Sequence, residues 1–304
     1  MGNTSYNFDN RTTRAVSSGF YSKSVDQVFE QNAKRQVHES MNPKNIKIRE
    51  ARDSKEHPKT VPIALFLDMT GSMERIPHEF IKDGLPTLMK TLVENGVPDA
   101  ALLFGGVGDH LSDNYPLQVG QFESGDEEND LWLSRVYIEG NGGGNGGESY
   151  PLGWQFVANY TVTDAWEKRK KKGFVFTIGD ERPHKNYQKA ANISIFGENA
   201  KQEGNLVTLE QLLKDAQERY HVYHLHYVHN NASEGQLQDW KTILGENAIK
   251  VEDYRQIPKL IAKIVLSHET GEDESPSVIT ENIVEKDNFD TGITTPIKKP
   301  KIRF

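Results

Sequence analysis

With 304 residues, 44 acidic against 36 basic side chains and a formal net charge of −8, the chain can hold one large domain or two small ones. It lacks the basic surplus of a nucleic-acid binder, and having no cysteine it has no disulfide, zinc–thiolate site or cysteine nucleophile. The polar start has no apolar signal core, no apolar run approaches bilayer length, and Tyr6 breaks the myristoylation pattern opened by Met1-Gly2, so a soluble, cytoplasmic protein with no membrane partner is expected.

Residues 1–58 are polar and short of periodic apolar positions; 25–31 suits a short helix and the rest an extended arm. A strand is expected over 63–67, then a helix from about 74 to 95, striped by Phe80, Leu85, Leu88, Met89 and Leu92 and stopped by Gly96. A second apolar strand spans 100–107, and a short strand near 119–122 reads as an antiparallel edge. The segment 131–138 fits helix and strand equally. A glycine-rich loop then leads to a helix near 151–166. Strands at 174–178, 222–228 and 248–251 alternate with helices at 206–220, 234–244 and 257–266. Short apolar strands separated by helices predict an α/β fold, a doubly wound and mostly parallel sheet with helices on both faces. The resulting division is a polar arm over 1–58, a domain over 59–267 and a flexible tail over 268–304.

Chemistry concentrates in three loops. The strand at 63–67 runs into Asp68, Thr70 and Ser72, three hard oxygen donors on one turn, which suit Mg²⁺, Mn²⁺ or Ca²⁺ better than soft metals. The same pattern also suits a polar turn with a capping hydroxyl. The second loop, 140–151, carries six glycines followed by Glu148 and Ser149. It lacks the lysine of a phosphate cradle, and Glu148 would repel an anion. The third follows Thr177-Ile178-Gly179 with Asp180 and Glu181. Loops at the carboxyl ends of one sheet can converge on one cation.

These residues resemble the metal-ion-dependent adhesion site (MIDAS) of von Willebrand factor A (vWA) domains, in which the first loop reads Asp-x-Ser/Thr-x-Ser, the second usually offers Thr and the third an Asp. The resemblance covers roughly 61–266, and the stretch 104–110, with Asp109 and His110, is similar to bacterial members. It implies a Rossmann-like fold in which Asp68, Thr70 and Ser72 hold Mg²⁺, or Mn²⁺ or Ca²⁺, directly or through water. The second-loop position falls on Glu148 where Thr is usual, with Asn145 and Ser149 as fallback donors; in the third loop Asp180 is the ligand and Glu181 stands outside it. A vacant coordination position would accept an acidic residue of a partner protein. The resemblance further suggests a bacterial or phage protein, in the host cytoplasm or a virion, working beside an AAA+ ATPase or an assembly subunit.

Other features are weaker. Within 221–229, His224 and His226 share one strand face and are expected to be packed rather than zinc-bound, while His226 or His229 can lie beside the site. The run Lys168–Lys172 reads as a solvated helix end, and Arg182 and His184 as solvated rim residues. A non-enzymatic metal-dependent binding module is therefore the expected function. The alternatives are a scaffold component of a phage or other large assembly and a Mg²⁺-dependent hydrolase or phosphatase. For the last, the general-acid position two residues after Asp68 is Thr70, which lacks the acidity.

Overall fold

A computed structural model describes residues 4–73, 75–140, 146–201, 204–272, 274–281 and 283. The apolar runs become strands: β1 (Arg49–Ala51), β2 (Val61–Asp68), β3 (Ala100–Val107), β4 (Leu117–Val119), β5 (Thr161–Thr163), β6 (Gly173–Gly179), β7 (Asn186–Gln188), β8 (Leu206–Thr208), β9 (Tyr220–Tyr227) and β10 (Ala248–Val251). Six form the main sheet in the order β10-β9-β6-β2-β3-β4, in which β4 alone runs antiparallel. Counted along the chain this is the doubly wound order 3-2-1-4-5-6.

Alternation of side chains divides the core into two layers. Ile63, Leu65 and Leu67 pack with Phe80, Leu88 and Ile261 on one face of the sheet. Ala64 and Phe66 pack with Trp154, Phe156 and Leu212 on the other. The order in which strands are added reverses between β2 and β6, so a crevice opens at their carboxyl ends, where Asp68 and Asp180 stand.

Several elements differ from the sequence expectation. The helix placed at 74–95 is Arg75–Glu79, a π-helical turn Phe80–Gly84, and Leu85–Glu94. Pro86 has no amide hydrogen to continue the regular ladder, which accounts for the wider turn. The helix placed at 151–166 ends at Tyr160; β-branched Thr161-Val162-Thr163 forms β5, and Thr163 then caps the helix Asp164–Arg169. Residues 206–208 form β8, and Thr208 caps the helix Leu209–Gln217. The ambiguous segment belongs to the helix Asp126–Ser134 and the chain after it.

The N-terminal segment is not an extended arm. It forms the Asn7-capped helix Phe8–Ser17, short turns of helix, and β1, which pairs in parallel with β5. Phe29 and Met41 are fully buried in the core, and Arg11 and Arg14 reach Asp126 and Asp130 at 2.8–2.9 Å. These anchors are single apolar residues and long-range ion pairs, which leave no periodic signature. Within the expected tail, the helix Ile257–Thr270 runs past 268, and Ile279 and Ile283 are buried against the core. Residues 284–304 lie outside the described residues. No helix among the described residues is long and apolar enough to cross a membrane.

Candidate metal centre

Asp68 ends β2 with its side chain fully buried. The Thr70 amide and hydroxyl both donate to its Oδ1, at 2.8 and 2.5 Å, so the turn folds back on the carboxylate. Its Oδ2 accepts from the Tyr150 phenol at 2.6 Å. Glycine at 179 makes that contact possible, because a Cβ there would run into the phenol ring. Ser72 lies in the turn Gly71–Met73, but its side chain is outside the described residues, as is all of Asn145.

The glycine-rich loop is tied down on both sides of Glu148. The Glu148 amide donates to Arg182 O at 2.9 Å, the His184 amide donates to Glu148 O at 3.0 Å, and the Ser149 amide donates to Gly108 O at 3.0 Å. Glu148 is buried, and among the described residues its Oε2 has no hydrogen-bond partner. Asp180, also buried, meets His229 Nε2 at 2.8 Å through Oδ2. Glu181 turns the other way, its carboxylate accepting from Gln236 and its carbonyl from Trp240.

The buried carboxylates feel one another's charge. Burial, then the Asp180 charge, pushes the Asp68 carboxyl up to about 7 despite the Thr70 and Tyr150 donors. Burial, then the charges of Asp68 and Asp109, pushes Glu148 up to about 10. A carboxylate aimed into a buried, mutually repelling group with one oxygen unpartnered costs free energy that a divalent cation would offset. The donor set of carboxylates and a hydroxyl is hard oxygen throughout and fits Mg²⁺, Mn²⁺ or Ca²⁺. Of the expected ligands, Thr70 touches Asp68, while Asp68, Glu148 and Asp180 are each buried; the group whose ligand atoms lie within 4.8 Å of one another among the described residues is Asp109, His110 and His184 and not these three carboxylates, and Ser149 bonds His110.

Two neighbours were not legible as site residues. Tyr150 carries no motif, being one residue of the loop-to-helix junction, yet it holds both Asp68 Oδ2 and, through the Glu181 amide at 3.3 Å, the third loop. His184, expected on a solvated rim, instead meets Asp109 Oδ1 at 2.7 Å. The strand histidines are packed: His224 stacks on Trp240 with centroids 3.5 Å apart, and His226 Nε2 meets Ser233 O at 2.7 Å.

No protein-family model and no curated protein matches the chain. Among solved structures it is similar to the pilus adhesin SpaC from Lactobacillus rhamnosus GG, at 12% identity over 72% of this chain and 31% of that one, with a TM-score of 0.47. It is similar to the vWF domain of the type V pili tip protein Mfa5 from Porphyromonas gingivalis, at 11% identity over 71% and 97%, TM-score 0.45. A third is proximal thread matrix protein 1 from the mussel byssus with a zinc-occupied MIDAS motif, at 12% identity over 72% and 48%, TM-score 0.42. The chain therefore spans less than a third of SpaC and about half of the mussel protein. The chain's own strand order, rather than these distant likenesses, carries the assignment of a doubly wound, Rossmann-like fold.

Proposed function

We propose that this chain is a non-enzymatic, metal-dependent protein-binding module of the vWA kind. Asp68, Thr70, Ser72, Glu148 and Asp180 would hold one Mg²⁺-class ion, and the ion would accept a carboxylate from an exposed Asp or Glu of a partner protein. The observation that supports the reading is that Asp68, Glu148 and Asp180, from three separate loops, are all buried, with the Asp180 charge acting on Asp68 and the Asp68 charge on Glu148, and with Glu148 Oε2 lacking a hydrogen-bond partner among the described residues. A hard cation bound there supplies charge that a carboxylate recognises. What the chain's residues do is orient: Tyr150 and Thr70 fix Asp68, and His229 fixes Asp180. The metal-bound partner carboxylate needs no proton transfer, and the Thr70 hydroxyl, which donates its proton to Asp68, would keep an oxygen lone pair for the ion.

The test is isotope-labelled amide spectroscopy of the full chain with acetate as the probe carboxylate. Added Mg²⁺ should move the amides of Thr70, Glu148 and Glu181, and acetate should move them further only after Mg²⁺. Acetate shifts that are the same with and without the ion would overturn the reading.

A further inference from the structure

A second set of donors lies beside Glu148, whose carbonyl accepts from the His184 amide. Asp109 follows β3, and its side chain is fully buried. Its Oδ1 stands 2.7 Å from His184 Nε2 and 3.9 Å from His110 Nδ1. The two imidazoles meet edge to face, with centroids 4.9 Å apart and planes at 86°. One ligand atom from each of the three residues lies within 4.8 Å of the other two. Nitrogen and oxygen ligands at about 2.0–2.1 Å from a tetrahedral ion are themselves about 3.4 Å apart. The observed spacings bracket that value, so side-chain shifts of less than about 1 Å would close the shell.

We infer that Asp109, His110 and His184 form a binding site for a borderline divalent transition metal of the zinc class, separate from the hard-oxygen centre. Two imidazole nitrogens and one carboxylate oxygen select zinc-like ions over Mg²⁺. Three protein ligands leave a fourth position open to water or to a partner's side chain.

The surroundings hold these groups ready. The Asp113 carboxylate accepts from the Asp109 amide at 2.7 Å, and Asp109 Oδ2 accepts from Ser112 Oγ at 2.9 Å, which fixes the carboxylate's orientation. Ser149 Oγ accepts from the His110 amide at 2.9 Å and lies 2.8 Å from Nδ1, a contact that the ion would replace. A Cβ at residue 147 would come within 3.1 Å of the His184 ring, so glycine there makes room for the imidazole. The ligands come from the β3 exit and the β6 exit, with the glycine-rich loop between them. A bound ion would therefore clasp the two strand ends across the loop that carries Glu148.

The inference stands apart from the Mg²⁺-class reading, and one experiment separates them. Zn²⁺ and Mg²⁺ are titrated separately by calorimetry into the full chain and into His184→Ala, His184→Gln, His110→Ala and Asp68→Ala, with Co²⁺ absorption as a second readout. Far-ultraviolet circular dichroism of the metal-free proteins checks that each variant folds. Both His184 variants and His110→Ala should lose at least about tenfold in Zn²⁺ affinity and the Co²⁺ bands, while Mg²⁺ heat stays as in wild type. Asp68→Ala should keep Zn²⁺ and Co²⁺ binding whether or not it abolishes the Mg²⁺ response. Wild-type Zn²⁺ affinity in folded histidine variants would overturn the assignment. So would complete loss of Zn²⁺ binding in folded Asp68→Ala, which would put zinc in the first site, or no Zn²⁺ binding by wild type.

Discussion

At the residue scale, the chemistry turns on Asp68, a carboxylate that three donor groups hold in place but that burial and Asp180 keep from ionising freely. Its folded-state value of about 7 lies above the unfolded value of 3.8. The metal-free fold therefore retains a proton that the unfolded chain gives up, and stability from this group is lost as pH rises from about 4 to 7. Glu148, at about 10 against 4.5, carries the same loss to higher pH. Thermal melts of metal-free protein should fall across this window. Asp68→Asn should flatten the fall and stabilise the metal-free protein at neutral pH by on the order of 1–4 kcal/mol. Saturating Mg²⁺ should reverse the slope in wild type, because the ion competes with those protons. A metal-free melting temperature that rises from pH 5 to 8 in wild type relative to Asp68→Asn would contradict this account. Tyr150→Phe removes the 2.6 Å donation to Asp68 while keeping the buried ring. It should weaken Mg²⁺ by about 10–100-fold, read by calorimetry, with the fold intact.

At the element scale, glycines let the loops approach. Gly179→Ala would push a methyl into the Tyr150 ring and should cost about 1–3 kcal/mol in urea denaturation, along with metal affinity. The three loops were legible because each places an aspartate or glutamate where an apolar strand ends or a helix begins, a pattern that short windows capture. Strands β2, β3, β6, β9 and β10 were legible for the same reason, as apolar runs bounded by polar turns. Tyr150 and the Asp109–His184 contact were not, since both depend on which loops become neighbours once the sheet winds in two directions. The small pairs β1–β5 and β7–β8 were missed because three-residue strands carry no measurable period. The first of them explains how a polar leading segment docks: Arg52 reaches Asp164 at 2.9 Å just beyond the paired strands.

At the scale of the whole molecule, the N-terminal segment is part of the core and not an appendage. Phe29 is fully buried among residues that include Val28, Val37 and Met41. Phe29→Ala should therefore destabilise the protein by about 3–5 kcal/mol, a loss that urea denaturation would show. A change within about 0.5 kcal/mol would mean that this segment does not pack on the domain in solution. The segment also belongs to the layer beneath the Thr70–Ser72 turn, because Phe29 shares its cluster with Met69 and Met73, which flank that turn. Doubly wound topology puts the ends of β2 and β6 side by side, and on the proposed reading the segment, the sheet and the loops would act as one support for a cation.

The most direct test of that claim is calorimetric titration of Mg²⁺ and Mn²⁺ into wild type and Asp68→Ala. Saturable binding by wild type, accompanied by a raised melting temperature and absent from a folded Asp68→Ala, is the predicted result. Equal heats in the two proteins, or no binding by wild type, would contradict it and leave the buried carboxylates as a feature of the fold without a metal role.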